Sequence, residues 1–166
     1  MSRAIFIVIF ALTCLTFLTE AVPKSDIQCK NSPDSSSNIQ SLTITNCNVP
    51  PCPLKKGNIV SVEEVFSVNK DISKLKTKVS ANVLGLNLPF IGVDDYDACP
   101  NIYNMDDTKS GCPLSAGGIY KYKNSFKIQG FYPNIKTTVY WKLVEELNQR
   151  KSNVITCFQV DAQIKR

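Results

Sequence analysis

Six cysteines behind an apolar leader constrain this chain more than any other feature. Seven cysteines occur in the 166 residues, and the first, Cys14, sits inside the leader. Arg3 supplies a positive start, residues 4–18 are apolar, and Thr19-Glu20-Ala21 offers small residues to a signal peptidase. The apolar run is shorter than the ~20 residues of a membrane-spanning helix. Residues 1–21 therefore read as a signal peptide cleaved after Ala21, and residues 22–166 as one exported domain large enough to bury its own core. The remaining cysteines, Cys29, Cys47, Cys52, Cys99, Cys112 and Cys157, form an even set in an oxidising setting and read as three disulfides. Six cysteines admit fifteen pairings, and spacing narrows them only in part. Two prolines fold Cys47 toward Cys52, Cys99 and Cys112 bracket a polar loop, and Cys29 and Cys157 are left near the two ends of the exported chain. A zinc site is set aside, because there is neither a CxxC pair nor any histidine.

Apolar residues recur with period two, so the chain reads as strands. Residues 38–46 carry Ile39, Leu42 and Ile44 after a slip near Gln40. In 59–68, Val60, Val62, Phe66 and Val68 share a face with one exception, Glu64. In 75–83, Leu75, Val79, Ala81 and Val83 oppose Lys74, Lys76 and Lys78. The phase then slips by one to Leu84, Leu86, Leu88 and Phe90, which predicts a bulge beside Gly85. Residues 135–143 and 154–164 alternate most clearly, and 119–122 and 126–131 are shorter strand candidates. A turn is expected over 148–153 and a polar loop over 32–37. Strands every 10–15 residues, each with one apolar face, predict an all-β, two-sheet sandwich.

Several function classes are excluded or left without support. Without histidine, with the exported cysteines consumed and with no G-x-S-x-G, there is no catalytic constellation, and no enzyme, cofactor or metal is expected. The acidic pairs Glu63-Glu64, Asp94-Asp95, Asp106-Asp107 and Glu145-Glu146 read as solvated loops and strand ends. A net charge of +5, dispersed along the chain, does not argue for nucleic acid. It suits transient contact with anionic membranes. The Lys74/Lys76/Lys78 row reads as protection of a strand edge rather than a lipid head-group site.

Residues 25–165 resemble the lipid-recognition (ML-domain) family, within it the Niemann–Pick type C2 branch and its insect relatives. The resemblance is carried by Cys47-x4-Cys52-x-Leu54-x-Lys56-Gly57 and Gly85-Leu86-Asn87-Leu88-Pro89-Phe90. It continues through Asp97-Ala98-Cys99, Cys112-Pro113-Leu114, Tyr120-x-Tyr122, Tyr132-Pro133-x-Ile135, Val139-x-Trp141 and Cys157. It implies an immunoglobulin-like β-sandwich of two antiparallel sheets with an apolar cavity between them, and disulfides Cys29–Cys157, Cys47–Cys52 and Cys99–Cys112. It implies a cavity mouth guarded by Phe90, Ile128, Tyr132 and Pro133, Ile128 standing where the family carries valine. Residues Phe66, Val83, Leu88, Val139 and Trp141 are then expected on the cavity wall. The implied function is a secreted or lysosomal monomer that carries a sterol, fatty acid, semiochemical or other small lipid and meets a membrane or a membrane lipid-transfer receptor. An innate-immune protein that recognises microbial lipids is the alternative.

Overall fold

The computed structural model describes Val22, Ile27, Cys29, residues 38–148 and residues 151–166. The expected signal peptide (1–21), the polar loop 32–37 and positions 149–150 of the 148–153 turn lie outside the described residues. Nine strands follow in order: β1 (Ile39–Ile44), β2 (Cys52–Lys55), β3 (Ile59–Ser67), β4 (Lys76–Val83), β5 (Leu86–Pro89), β6 (Ile102–Tyr103), β7 (Ile119–Lys127), β8 (Ile135–Asn148) and β9 (Lys151–Lys165). A 3-10 turn, Cys99–Asn101, precedes β6. One sheet runs β1-β3-β7-β6 and the other β2-β9-β8-β4-β5. The pairs are antiparallel apart from β2, which joins the edge of β9 in parallel, Cys52 opposite Ala162.

Alternation builds the core. Val60, Val62, Glu64 and Phe66 of β3 all point inward and are buried, as are Val139, Trp141 and Leu143 of β8 and Phe158, Val160, Ala162 and Ile164 of β9. Trp141, Tyr122, Phe66 and Phe158 are its largest fully buried side chains. The three disulfides are Cys29–Cys157, Cys47–Cys52 and Cys99–Cys112, with Cα separations of 5.8, 5.0 and 5.2 Å. The first ties the start of the described chain to the middle of β9. The third closes a loop that Asp107 also pins to β7, its carboxylate accepting from Lys121 Nζ at 2.7 Å and Lys123 Nζ at 2.8 Å.

Three sequence expectations change. The slip at Gly85 is not a bulge but a chain reversal. Val83 pairs with Leu86 across two residues, Leu84 and Gly85, both with positive φ (52° and 86°), the geometry of a tight hairpin turn. The strand candidates 119–122 and 126–131 are one strand ending at Lys127, because Lys123 to Ser125 keep the register against β3. The lysine row does not lie on an edge. β5 covers Ser80–Val83, and the loop after β5 covers the rest of β4. In that loop Asp94 Oδ1 accepts Val79 N–H at 2.7 Å, and Asp95 N–H donates to Thr77 O at 2.8 Å. Lys78 and Lys76 reach Asp95, and Lys76 also pairs with Glu146 at 3.0 Å. The 94–97 acids thus cap β4.

Candidate functional site

The end of the sandwich where β3 and β8 begin and β7 and β9 finish holds a small cavity bordered only by apolar side chains. Among them are Val60, Val62, Phe90, Phe126, Val139, Trp141, Phe158 and Val160. Its volume is about 30 Å³, room for about one water molecule and far below the ~300 Å³ at the lower end of ligand pockets. Aromatic rings pack beside it. They form a continuous path from surface to interior, with Phe131 5.0 Å from Tyr132 and Tyr132 5.1 Å from Phe90. Phe90 is 5.6 Å from Phe126, Phe126 5.5 Å from Trp141, and Trp141 6.0 Å from Phe158. Phe131 is 66% exposed at the outer end of this path, and Phe158 is fully buried at the inner end.

The expected mouth residues divide along it. Phe90 borders the cavity but is itself only 3% exposed. It is an inner plug rather than a rim, because its N–H is drawn onto β4 at Val79 O (2.8 Å) and the next turn folds over it. Tyr132 is half-buried and covers it, the hydroxyl donating to Ile91 O at 3.2 Å. Pro133 is exposed. Ile128 is fully buried, its backbone bonded to Gly57 and Asn58 at the β2–β3 turn, and it does not border the cavity.

The expected wall divides as well. Val139 and Trp141 border the cavity. Leu88 does not; it is 47% exposed, because the hairpin turn at 84–85 carries β5 outward to the sheet edge. Phe66 lies farther along β3, packed toward Tyr120 at 6.3 Å, and half-buried Val83 sits against the core without bordering the cavity. Sequence reasoning missed Phe126, Phe158, Val60, Val62 and Val160 as wall residues, although their strand faces were legible.

Deeper in, the core is not wholly apolar. The Glu64 carboxyl, Thr156 Oγ1 and Trp141 Nε1 are buried here without short, well-aligned hydrogen bonds; the Thr156 hydroxyl faces the Glu64 carboxyl, and the Trp141 indole faces the Tyr122 hydroxyl. Burial pushes the Glu64 carboxyl up to about 7, and the neighbouring Thr156 hydroxyl offsets this only in part. Tyr122, opposite Glu64 on β7, is also raised by burial, and its hydroxyl accepts from Asn124 Nδ2 at 2.8 Å.

Comparison with known proteins places this architecture. The sequence profile of the ML domain matches residues 26–164. The bovine NPC intracellular cholesterol transporter 2 is 30% identical over 129 residues, covering 76% of this chain and 77% of the bovine protein. The dog protein of the same name is 31% identical over 127 residues, with 76% and 77% covered. The crystal structure of a Niemann-Pick type C2 protein from the Japanese carpenter ant superposes with a TM-score of 0.63 at 21% identity, covering 76% of this chain and 91% of the ant chain. The two sheets stapled by three disulfides are the architecture on which this match falls. The chain belongs to the ML-domain family.

Proposed function

We propose that this protein is a secreted carrier that holds one sterol or similar small lipid between its sheets and releases it at a membrane or a membrane lipid-transfer receptor. The observation that carries the reading is the small cavity with an apolar lining between the sheets, bordered by Phe90, on which Tyr132 rests. Apolar surface leaving water gains roughly 25 cal/mol per Å², and that lining offers a ligand no competing polar group. The names of the bovine and canine relatives make a sterol the first ligand to test. Admission requires the ring path to part, since about 30 Å³ holds no lipid. Leu84, Leu86, Leu88 and Ile91 are exposed along one segment leading to Phe90, which suits a surface that meets a membrane during transfer.

The cavity size favours a second reading of the ligand. A single acyl chain or semiochemical is thinner than a fused-ring sterol and needs less displacement of Phe90 and Phe126. Mass spectrometry of an organic extract of the purified secreted protein, with titration by a fluorescent sterol and a fluorescent fatty acid, separates the two. Absence of lipid in the extract together with no binding of either probe defeats the carrier reading.

A further inference from the structure

Thirteen residues border the cavity, and twelve of them are no more than 7% exposed. Phe126, alone among the described residues of that lining, is half-buried and keeps contact with solvent. Its position in the strand explains this. Phe126 is the last inward residue of β7, one place before the strand ends at Lys127, and Ser125 and Lys127 on either side are exposed. The strand belongs to one sheet, while the rings that Phe126 meets belong with the other: Phe90 at 5.6 Å and Trp141 at 5.5 Å. The Phe126 ring therefore spans the gap between the sheets at the edge of the cavity. Its two neighbours are held in place. Phe90 N–H donates to Val79 O at 2.8 Å, and Phe90 O accepts from Val93 N–H at 3.2 Å and Asp94 N–H at 3.1 Å. Trp141 lies on β8, between β9 and β4, and stacks on Phe158. Moving either ring outward breaks backbone bonds or buried packing. Phe126 can pass between staggered side-chain rotamers while β7 keeps its pairing with β3.

Resting on the carrier reading, we propose that Phe126 is the specificity-determining residue of the cavity: its ring turns outward to admit a lipid, and its bulk sets the balance between a single-chain lipid and a fused-ring sterol. A cavity of about 30 Å³ holds neither, so the space must come from a lining side chain that can leave. Phe126 is the one with solvent beside it. A turned ring still stands at the cavity edge and packs on the flank of the ligand. A straight chain passes beside that ring, whereas a sterol, wider across its fused rings, meets it. Burial of apolar surface favours both ligands, and overpacking against residue 126 opposes the wider one. A smaller side chain at this position therefore favours the sterol, and a larger one the single chain.

Two fluorescent probes test this, dehydroergosterol for the sterol and cis-parinaric acid for the single chain. Each is titrated into the full exported chain and into its Phe126→Ala, Phe126→Leu and Phe126→Trp variants. The ratio of sterol affinity to fatty-acid affinity should rise at least about fivefold in Phe126→Ala and by a smaller factor in Phe126→Leu. It should fall at least about fivefold in Phe126→Trp. Binding of a probe that the parent refuses counts as a rise for that probe. Urea unfolding checks that each variant folds, and Phe126→Leu, which keeps apolar volume, stands in if Phe126→Ala does not. A second measurement reads the gate directly. The sequence has one tryptophan, Trp141, which is 2% exposed and meets the Phe126 ring. Acrylamide should quench its emission more strongly in Phe126→Ala than in the parent. Affinity ratios that move less than this or in the opposite direction, or equal quenching in Phe126→Ala and parent, overturn the inference and leave the carrier reading standing. Failure of the parent and every variant to bind either probe overturns both.

Discussion

Trp141 lies parallel to Phe158, with ring centroids 6.0 Å apart and planes 6° apart. The two face each other across the β8–β9 pairing, where Trp141 is registered directly opposite Phe158. Both rings border the apolar cavity and both are buried in the core. Replacing Trp141 with Ala should cost about 3–5 kcal/mol, the range for a large buried aromatic. Replacing it with Phe, which keeps a ring on Phe158, should cost clearly less. Urea unfolding followed by far-ultraviolet circular dichroism measures both, and equal losses would show that the stack itself is not what the indole supplies.

The β4–β5 turn makes an opposite prediction, a gain. Leu84 holds φ at 52° and is 92% exposed. A side chain in the left-handed region costs roughly 1–2 kcal/mol for ordinary residues and less for Asn, and almost nothing of Leu84 is buried to offset it. Leu84→Asn should therefore raise the urea midpoint by an amount equivalent to about 1 kcal/mol at unchanged slope. A lower midpoint would mean that the leucine packs in a way its exposure hides.

That same turn shows where sequence reasoning stops. Strand faces were legible because burial imposes a strict period of two: Val60 to Val68, Ile135 to Leu143 and Thr156 to Ile164 sit where alternation puts them, while a bulge opposite Leu143 and Val144 takes Val154 out of phase and buries Ile155 instead. Leu84 to Phe90 looked like a continuation of β4 because a two-residue reversal preserves alternation on both sides while sending β5 back along the sheet. Nothing local distinguishes this from a slipped register when the first turn residue is leucine rather than Asn or Gly. Leu88 was misplaced on the cavity wall for that reason, and Phe90 was read as rim. Phe90's burial depends on the 90–97 segment closing over β4, a contact between segments that periodicity does not encode. Glu64 was visible as the exception on its strand, but its complete burial comes from the facing sheet, which periodicity does not encode.

Glu64 sets a pH dependence of folding with a definite sign. Its carboxyl stands at about 7 in the folded protein against an ordinary 4.5, the cause being burial. Because the folded value is the higher one, its contribution is fully present below about pH 4.5 and is lost as pH rises to 7, after which it is flat. A shift of that size corresponds to on the order of 3 kcal/mol. The exposed carboxylates act elsewhere: Asp107 is lowered to about 2 by Lys121 and Lys123, so its contribution holds above pH 3.8 and fades below it. Urea midpoints measured from pH 4.5 to 8 should fall toward neutrality in the parent and stay nearly level in Glu64→Gln. A parallel fall in the variant would assign the titration to another group.

Tyr132 and Phe90 should separate as lid and plug. Tyr132 is half-buried, rests on Phe90 at 5.1 Å between centroids and is tethered by one exposed hydrogen bond to Ile91 O. Removing its ring uncovers Phe90 without opening the core beneath, so Tyr132→Ala should cost about 1 kcal/mol or less, as surface changes do. Ligand release should nevertheless quicken at least tenfold, since the ring that covers Phe90 is gone. Phe90 is buried against Phe126 as well, at 5.6 Å, and its truncation to Ala should cost about 3–5 kcal/mol. That loss would confuse binding with unfolding, so Phe90→Leu is the informative change, retaining apolar volume while removing the ring. Tyr132→Phe completes the set, because it deletes only the bond to Ile91 and should release ligand at an intermediate rate. Stopped-flow transfer of a fluorescent lipid to acceptor vesicles reads all four rates. If Tyr132→Ala releases lipid at the parental rate, the path to the cavity does not run past Tyr132, and the ring series from Phe131 inward is packing rather than a passage.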